Sequence, residues 1–133
     1  MKKSVLIVED DLLVRESLCE VLGLEGYEVV MASDAEEGFN RLADRSFDLT
    51  LVDLRLPKFN GIEFLKKCRE GFPEMDVIMI TSYGTVETAV EAMKNGACDY
   101  LTKPIHDEEI KILLHRLFET RELREENLTL KEE

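Results

Sequence analysis

The sequence predicts an α/β domain on an open, doubly wound sheet of five parallel strands, and three observations predict it. Five short apolar runs, rich in β-branched or large apolar residues, are too short for helices and fit strands. Segments with helical spacing separate them, so a β-α unit recurs five times, and that alternation calls for parallel strands covered on both faces. The runs before Asp10 and Asp53 are almost continuously apolar, as central strands buried on both sides are. Five units are too few for an eight-stranded barrel.

The first run is Val5–Val8, followed by Val14, Leu18, Val21 and Leu22 on one helical stripe, with Gly23 and Gly26 as punctuation. The second, Glu28–Ala32, precedes the stripe Ala35, Phe39, Leu42 and Ala43. The third, Leu49–Val52, leads through Pro57 and Gly61 to Ile62 and Leu65. Gly71 and Pro73 introduce the fourth, Val77–Ile80, and Gly84 precedes the stripe Val86, Val90 and Met93. After Gly96 comes the fifth, Tyr100–Leu101 with its flanks, and then Ile110, Leu113, Leu114 and Leu117. From Asp107 to Glu133 there is no Pro or Gly, so one long helix is expected to outgrow the domain. Its far end fits either a frayed, solvated terminus or a coiled-coil seam, with Asn127 as a polar register residue between Leu123 and Leu130. The expected boundaries are a domain over 1–120 and a helical linker over 121–133, and the lack of a stop signal at Glu133 is read as a longer parent chain.

The 133 residues suit one domain with a real core, and 44% hydrophobic content with clear periodicity argues against disorder. With 29 Asp+Glu against 17 Lys+Arg the net charge is −12, which disfavours direct contact with nucleic-acid phosphates. Cys19, Cys68 and Cys98 form neither a disulfide framework nor a metal pattern. The apolar stretch after Ser4 is too short for a signal peptide or a membrane span, and a cytoplasmic protein is expected.

The polar residues at the strand ends carry the chemistry. Asp11 reads as an N-cap for a helix beginning near Leu12, but Glu9, Asp10 and Asp11 together exceed that need. Clustered carboxylates repel unless a cation joins them, and hard oxygen ligands suit Mg²⁺. Asp53 ends the third run, and since the first and third strands flank the expected switch point, it should face Asp10. A carboxylate beside a metal can attack phosphorus to give an acyl phosphate. Thr81 ends the fourth run, and Lys103 follows the fifth, with Pro104 fixing the chain after it. A hydroxyl and an ammonium at the edge that bears the acids are what a three-oxygen phosphoryl group needs.

Val8-Glu9-Asp10-Asp11, the run from Asp53 to Pro57 with Gly61, Thr81-Ser82 and Lys103-Pro104 together resemble the receiver domain of two-component response regulators over about residues 4–120. The resemblance implies a flavodoxin-like receiver fold of strand order 2-1-3-4-5. It implies that Asp53 is the phosphoacceptor, that Asp10 and Asp53 bind Mg²⁺ directly with the backbone carbonyl of Arg55, and that Glu9 does so through water. Thr81 and Lys103 would hold the phosphoryl group, and Tyr100 would be an aromatic that turns inward as Thr81 moves. Glu9 stands where many relatives have Asp. The stretch Gly84–Leu101 and the segment Leu123–Leu128 are similar to the NtrC-like subfamily, whose receivers control sigma-54-dependent AAA+ transcription activators. Implied partners are a sensor histidine kinase, which part of the acidic charge would steer, an absent AAA+ and DNA-binding output region, and a second copy in a homodimer. No Walker A pattern is present, so the chain itself is expected neither to hydrolyse ATP nor to bind DNA, and to assist only its own phosphoryl transfer and loss.

Two rivals fit less well. A haloacid-dehalogenase-like phosphatase would need a second Asp two residues after the nucleophile, where Arg55 stands. A flavodoxin-like electron carrier would need a Ser/Thr/Gly-rich phosphate loop where Glu9, Asp10 and Asp11 would repel the flavin phosphate. His106 and His115 read as surface residues, Met79 and Met93 as core, and Cys98 as a small buried filler. Arg55 and Tyr83 flank the site and are candidates to affect an attacking water.

Overall fold

The computed structural model describes residues 2–82 and 84–132, with side chains described through residue 125. In chain order the elements are β1 (Ser4–Val8), α1 (Leu12–Leu24), β2 (Glu28–Ala32), α2 (Ala35–Asp44) and β3 (Leu49–Asp53). There follow β4 (Arg55–Leu56), β5 (Phe59–Asn60), α3 (Gly61–Gly71), β6 (Asp76–Thr81), α4 (Val86–Lys94), β7 (Asp99–Thr102) and α5 (Asp107–Glu132). The main sheet has the order β2-β1-β3-β6-β7, with all its neighbours parallel. With β6 and β7 as fourth and fifth strands, this is the expected 2-1-3-4-5 order. The antiparallel pair β4–β5 was not foreseen. Two residues per strand carry no periodicity, and the turn depends on Lys58 adopting φ 58°, in the left-handed region.

Alternate residues of each buried strand feed opposite cores, as the two-residue strand period requires. Leu6, Val8, Val52 and Met79 pack with Phe64 and Leu65 on the face covered by α2, α3 and α4. Val5, Ile7, Leu51 and Ile80 pack with Leu22 and Leu114 beneath α1 and α5. Asp11 caps α1, its carboxylate accepting the Leu13 and Val14 amides at 2.9 and 3.3 Å. Among the described residues no helix is long and apolar enough to cross a membrane.

Helix α4 departs from expectation. The stripe Val86, Val90 and Met93 faces outward, with 77%, 45% and 48% exposure, and the helix packs inward through the smaller Ala92, with Thr88 and Ala89 partly covered. Met93 is therefore not a core residue, whereas Met79 is fully buried. Hydrophobicity ranks Val and Met above Ala, but a helix lying close against its neighbours favours small side chains at the contact, and that closeness is not written in the local sequence. Cys98 is only half-buried, yet burial still pushes its thiol up to about 12, as it does for the fully buried Cys68.

Helix α5 runs unbroken past residue 120. Arg121, on the linker side of the expected boundary, donates to the carbonyls of Asp48 at 3.1 Å and Glu74 at 3.3 Å, which fastens that turn to the body of the domain. Leu123 is exposed. The side chains of Asn127, Leu128 and Leu130, and with them the seam reading, lie outside the described residues, as does Tyr83.

Candidate functional site

The site forms at the carboxyl edge of the sheet, where β1, β3, β6 and β7 end side by side. Register sets this meeting: Val8 of β1 pairs with Val52 of β3, Asp53 with Ile80 of β6, and Thr81 with Thr102 of β7. The residue after each pairing, or at its end, is one of the polar groups singled out in the sequence. Each of Glu9, Asp10 and Asp53 offers a carboxylate oxygen, and these oxygens lie within 4.8 Å of one another. Asp10 is exposed, while Glu9 and Asp53 are buried.

Lys103 holds the two buried acids. Its Nζ donates to Asp53 Oδ2 at 2.7 Å and to Glu9 Oε1 at 2.8 Å. Burial alone would lower the Lys103 pKa, but its hydrogen bonds to Asp53 and Glu9 and their negative charge outweigh it, and the net shift is upward. The other Asp53 oxygen accepts the Arg55 amide at 2.8 Å, so both carboxylate oxygens are oriented by this chain. That contact places the main chain of Arg55 beside the carboxylate. The Lys103–Pro104 peptide is cis, and the Lys103 amide donates to the Thr81 carbonyl at 2.7 Å, which ties the lysine to the end of β6. Thr81 is fully buried. Tyr100 is half-buried on β7, with its hydroxyl 2.8 Å from Thr88 Oγ1 of α4.

Glu9 has 0% exposure, and its Oε2 is a buried oxygen with no hydrogen-bond partner among the described residues. An orphaned carboxylate oxygen in this position costs free energy unless a cation or proton meets it. It points to a hard cation among Glu9, Asp10 and Asp53, so the donor set fits Mg²⁺. Desolvation, reinforced by the neighbouring Asp53 carboxylate against the opposing pull of Lys103, raises Glu9 from 4.5 to about 7.

This has a consequence for the metal-free protein. Between pH 4.5 and about 7 the folded state keeps a proton on Glu9 that the unfolded state has lost, so stability falls as pH rises through that window. Glu9→Gln removes the charge with little change of shape. It should raise the melting temperature at pH 8 in chelator and leave it close to wild type near pH 4.5. Thermal unfolding across this range checks the expectation, and a difference that ignores pH would contradict it.

Asp53, Glu9, Asp10, Thr81 and Lys103 are thus brought to one edge, while Asp11 serves its helix cap. The direct Glu9–Lys103 contact and the Tyr100–Thr88 contact were not foreseen. For Thr88 a signal existed: Thr85 and Thr88 have the three-residue spacing of a capping box, which the structure forms. Gly61, punctuation in the sequence and one of the marks of the resemblance, donates its amide to the Leu54 carbonyl at 2.8 Å, next to the main chain of Asp53.

Comparisons with known proteins agree with this arrangement. A family model described as response regulator receiver domain matches residues 5–115. The response regulator protein FleR of Pseudomonas aeruginosa is 42% identical over 104 residues, covering 78% of this chain and 22% of that protein. The regulatory protein AtoC of Escherichia coli strain K12 is 35% identical over 122 residues, covering 92% of this chain and 26% of that protein. The chain thus spans about a quarter of the length of the curated relatives it matches. Among solved structures, NtrX from Brucella abortus superimposes with a TM-score of 0.90 at 31% identity, over 98% of this chain and 30% of NtrX. A CheY-like receiver domain protein from Methanospirillum hungatei gives 0.83 at 35% identity, over 96% of this chain and 99% of that one.

Proposed function

The chain belongs to the response regulator receiver domain family, and from that premise we propose that it is a phosphoacceptor switch whose Asp53 receives a phosphoryl group from a sensor histidine kinase. The observation that carries the reading is the Lys103 ammonium bridging Asp53 and Glu9 beside an orphaned Glu9 oxygen. In the proposed transfer an Asp53 carboxylate oxygen attacks phosphorus and forms the new O–P bond. The P–N bond to the donor histidine breaks, and the departing imidazole keeps the electron pair and takes a proton from solvent. Mg²⁺, held by Asp10, Asp53 and the Arg55 carbonyl with Glu9 through water, would supply charge neutralisation for the incoming group.

This chain's own residues do the rest. The Arg55 amide and Lys103 orient the two Asp53 oxygens before transfer. Afterwards Lys103 is positioned to pair with phosphoryl oxygens, whose added charge is about −1.5 to −2 by analogy with other phosphorylated side chains. Thr81, tied to Lys103 through the main chain, would donate its hydroxyl to a further phosphoryl oxygen, and its movement would be coupled to Tyr100. The chain would not turn over a separate substrate; it would assist its own phosphorylation and hydrolysis. Similarity to AtoC, FleR and NtrX supports a cytoplasmic transcription regulator of the NtrC-like kind. Its AAA+ and DNA-binding output would lie outside the 133 residues, and dimer contacts would change on phosphorylation.

The test is labelling with a small phosphodonor. With Mg²⁺ present, one site should be labelled, stable to acid relative to phosphohistidine and released by hydroxylamine. No label, or label resistant to hydroxylamine, would refute the reading. Lys103→Ala probes the switch itself. Without the ammonium, Glu9 and Asp53 face each other uncompensated, so the variant should fold more stably with Mg²⁺ than with chelator. It should also lose the change in sedimentation that beryllofluoride, a phosphoryl mimic, produces in wild type. A wild-type response in this variant would remove Lys103 from the mechanism.

A further inference from the structure

The Tyr100 hydroxyl does not face solvent alone; it joins the cap of α4. Thr88 Oγ1 accepts the Thr85 amide at 3.1 Å and donates to the Thr85 carbonyl at 3.0 Å, while Thr85 Oγ1 accepts the Thr88 amide at 3.1 Å. A hydroxyl has one proton and two acceptor lone pairs. With its proton on the Thr85 carbonyl and one lone pair on the Thr85 amide, Thr88 Oγ1 has one lone pair left, and two hydroxyls reach it: Tyr100 at 2.8 Å and Thr85 Oγ1 at 3.1 Å. The shorter of the two contacts is that of Tyr100, and with the Thr88 proton on the Thr85 carbonyl the tyrosine hydroxyl is the donor in it. Gly84 leaves room for this contact, since a Cβ there would come within 3.4 Å of the Tyr100 hydroxyl and 2.7 Å of Thr102 Oγ1.

Among the described residues, little else holds this end of α4. Its one fully buried residue is Ala92, in the last turn, and its first turn exposes Val86. Among the described residues, the N-terminal half of the helix is therefore held more by its polar cap and the bridge to β7 than by apolar burial.

We propose that Thr88 is a positioning residue of the switch: it holds the Tyr100 hydroxyl, so Tyr100 can leave its present place only by giving up its bond to the α4 cap. The proposal rests on the reading of Asp53 as phosphoacceptor and Tyr100 as the residue that moves. The coupling is reciprocal: phosphorylation loosens the first turn of α4, and anything that detaches α4 from Tyr100 favours the phosphorylated conformation. The exposed Val86 and Val90 then belong to a segment whose order reports the state of Asp53.

A double-mutant cycle tests this with Mg²⁺ and beryllofluoride as ligand, on the full 133-residue chain. Thr88→Val keeps the branched shape without the hydroxyl, Tyr100→Phe leaves the helix cap intact, and Thr88→Ser restores the hydroxyl. Each of the first two should tighten beryllofluoride binding about fivefold, the factor expected of one net hydrogen bond. The double variant should bind no more tightly than either single one, and Thr88→Ser should match wild type. Amide exchange over residues 86–90 should quicken when wild type takes up beryllofluoride, and should already be quick in Thr88→Val. Unchanged affinity in Tyr100→Phe, or additive gains in the double variant, would overturn the role of Thr88 while leaving Asp53 as phosphoacceptor. If wild type bound no beryllofluoride and Asp53 took no label, both readings would fall together.

Discussion

Asp53→Asn is expected to reduce phosphodonor labelling to background while leaving the fold in place. The amide is nearly isosteric with the carboxylate. Its oxygen can still accept the Arg55 amide, which lies 2.8 Å from Oδ1 in the native protein. What is lost is the nucleophile, because an amide oxygen is a poor attacker of phosphorus and its product would not be an acyl phosphate. Losing one of three clustered carboxylates also relieves repulsion, so the melting temperature should not fall by more than a few degrees. Label incorporation followed by mass analysis checks the first part and thermal unfolding the second. Undiminished labelling in Asp53→Asn would place the acceptor elsewhere, and Asp10, exposed beside it, would be the next residue to replace.

Gly61→Ala should be the most damaging single-methyl change near the site. A Cβ at this position would sit 2.5 Å from the Asp53 carbonyl, 2.6 Å from Leu54 Cα and 2.7 Å from the Leu54 carbonyl. All three are backbone atoms, so no rotamer change can clear the space. The loop from Asp53 to Gly61 must shift, and the hydrogen bond from the Gly61 amide to the Leu54 carbonyl shifts with it. Overpacking of this kind costs about 3 kcal/mol at the severe end of its usual range. For a domain of this size that lowers the melting temperature by on the order of 10 °C. Because the displaced backbone carries Asp53, labelling should slow as well. A melting temperature within about 2 °C of wild type would show that the loop yields freely, contrary to the packing described.

Both predictions concern residues that the sequence marks, but for different reasons. Asp53 is legible because a carboxylate directly after an apolar run is placed by the run itself, and the same holds for Glu9, Thr81 and Lys103 at their own strand ends. Gly61 is legible as punctuation and as a companion of the Asp53–Pro57 run; that its missing side chain makes room for the backbone of Asp53 depends on how the β4–β5 hairpin folds back. The exposed stripe of α4 shows the opposite failure. Val86, Val90 and Met93 have the spacing of a buried face, and the helix nevertheless turns Ala92 inward. Periodicity reports that two faces differ. Which one is covered depends on how near the neighbouring elements stand.

By itself, the sequence determined the number, type and order of the main elements and the edge at which the acids, hydroxyl and lysine collect. Apolar spacing acts between residues a few positions apart, and each strand places the group that follows it. Tertiary structure decided which of those groups touch. Lys103 reaches Glu9 across 94 positions and Asp53 across 50, and Tyr100 reaches Thr88 rather than any strand residue. Such contacts follow from the register of parallel strands and the seating of α4, both of which arise only when the whole chain closes its two cores.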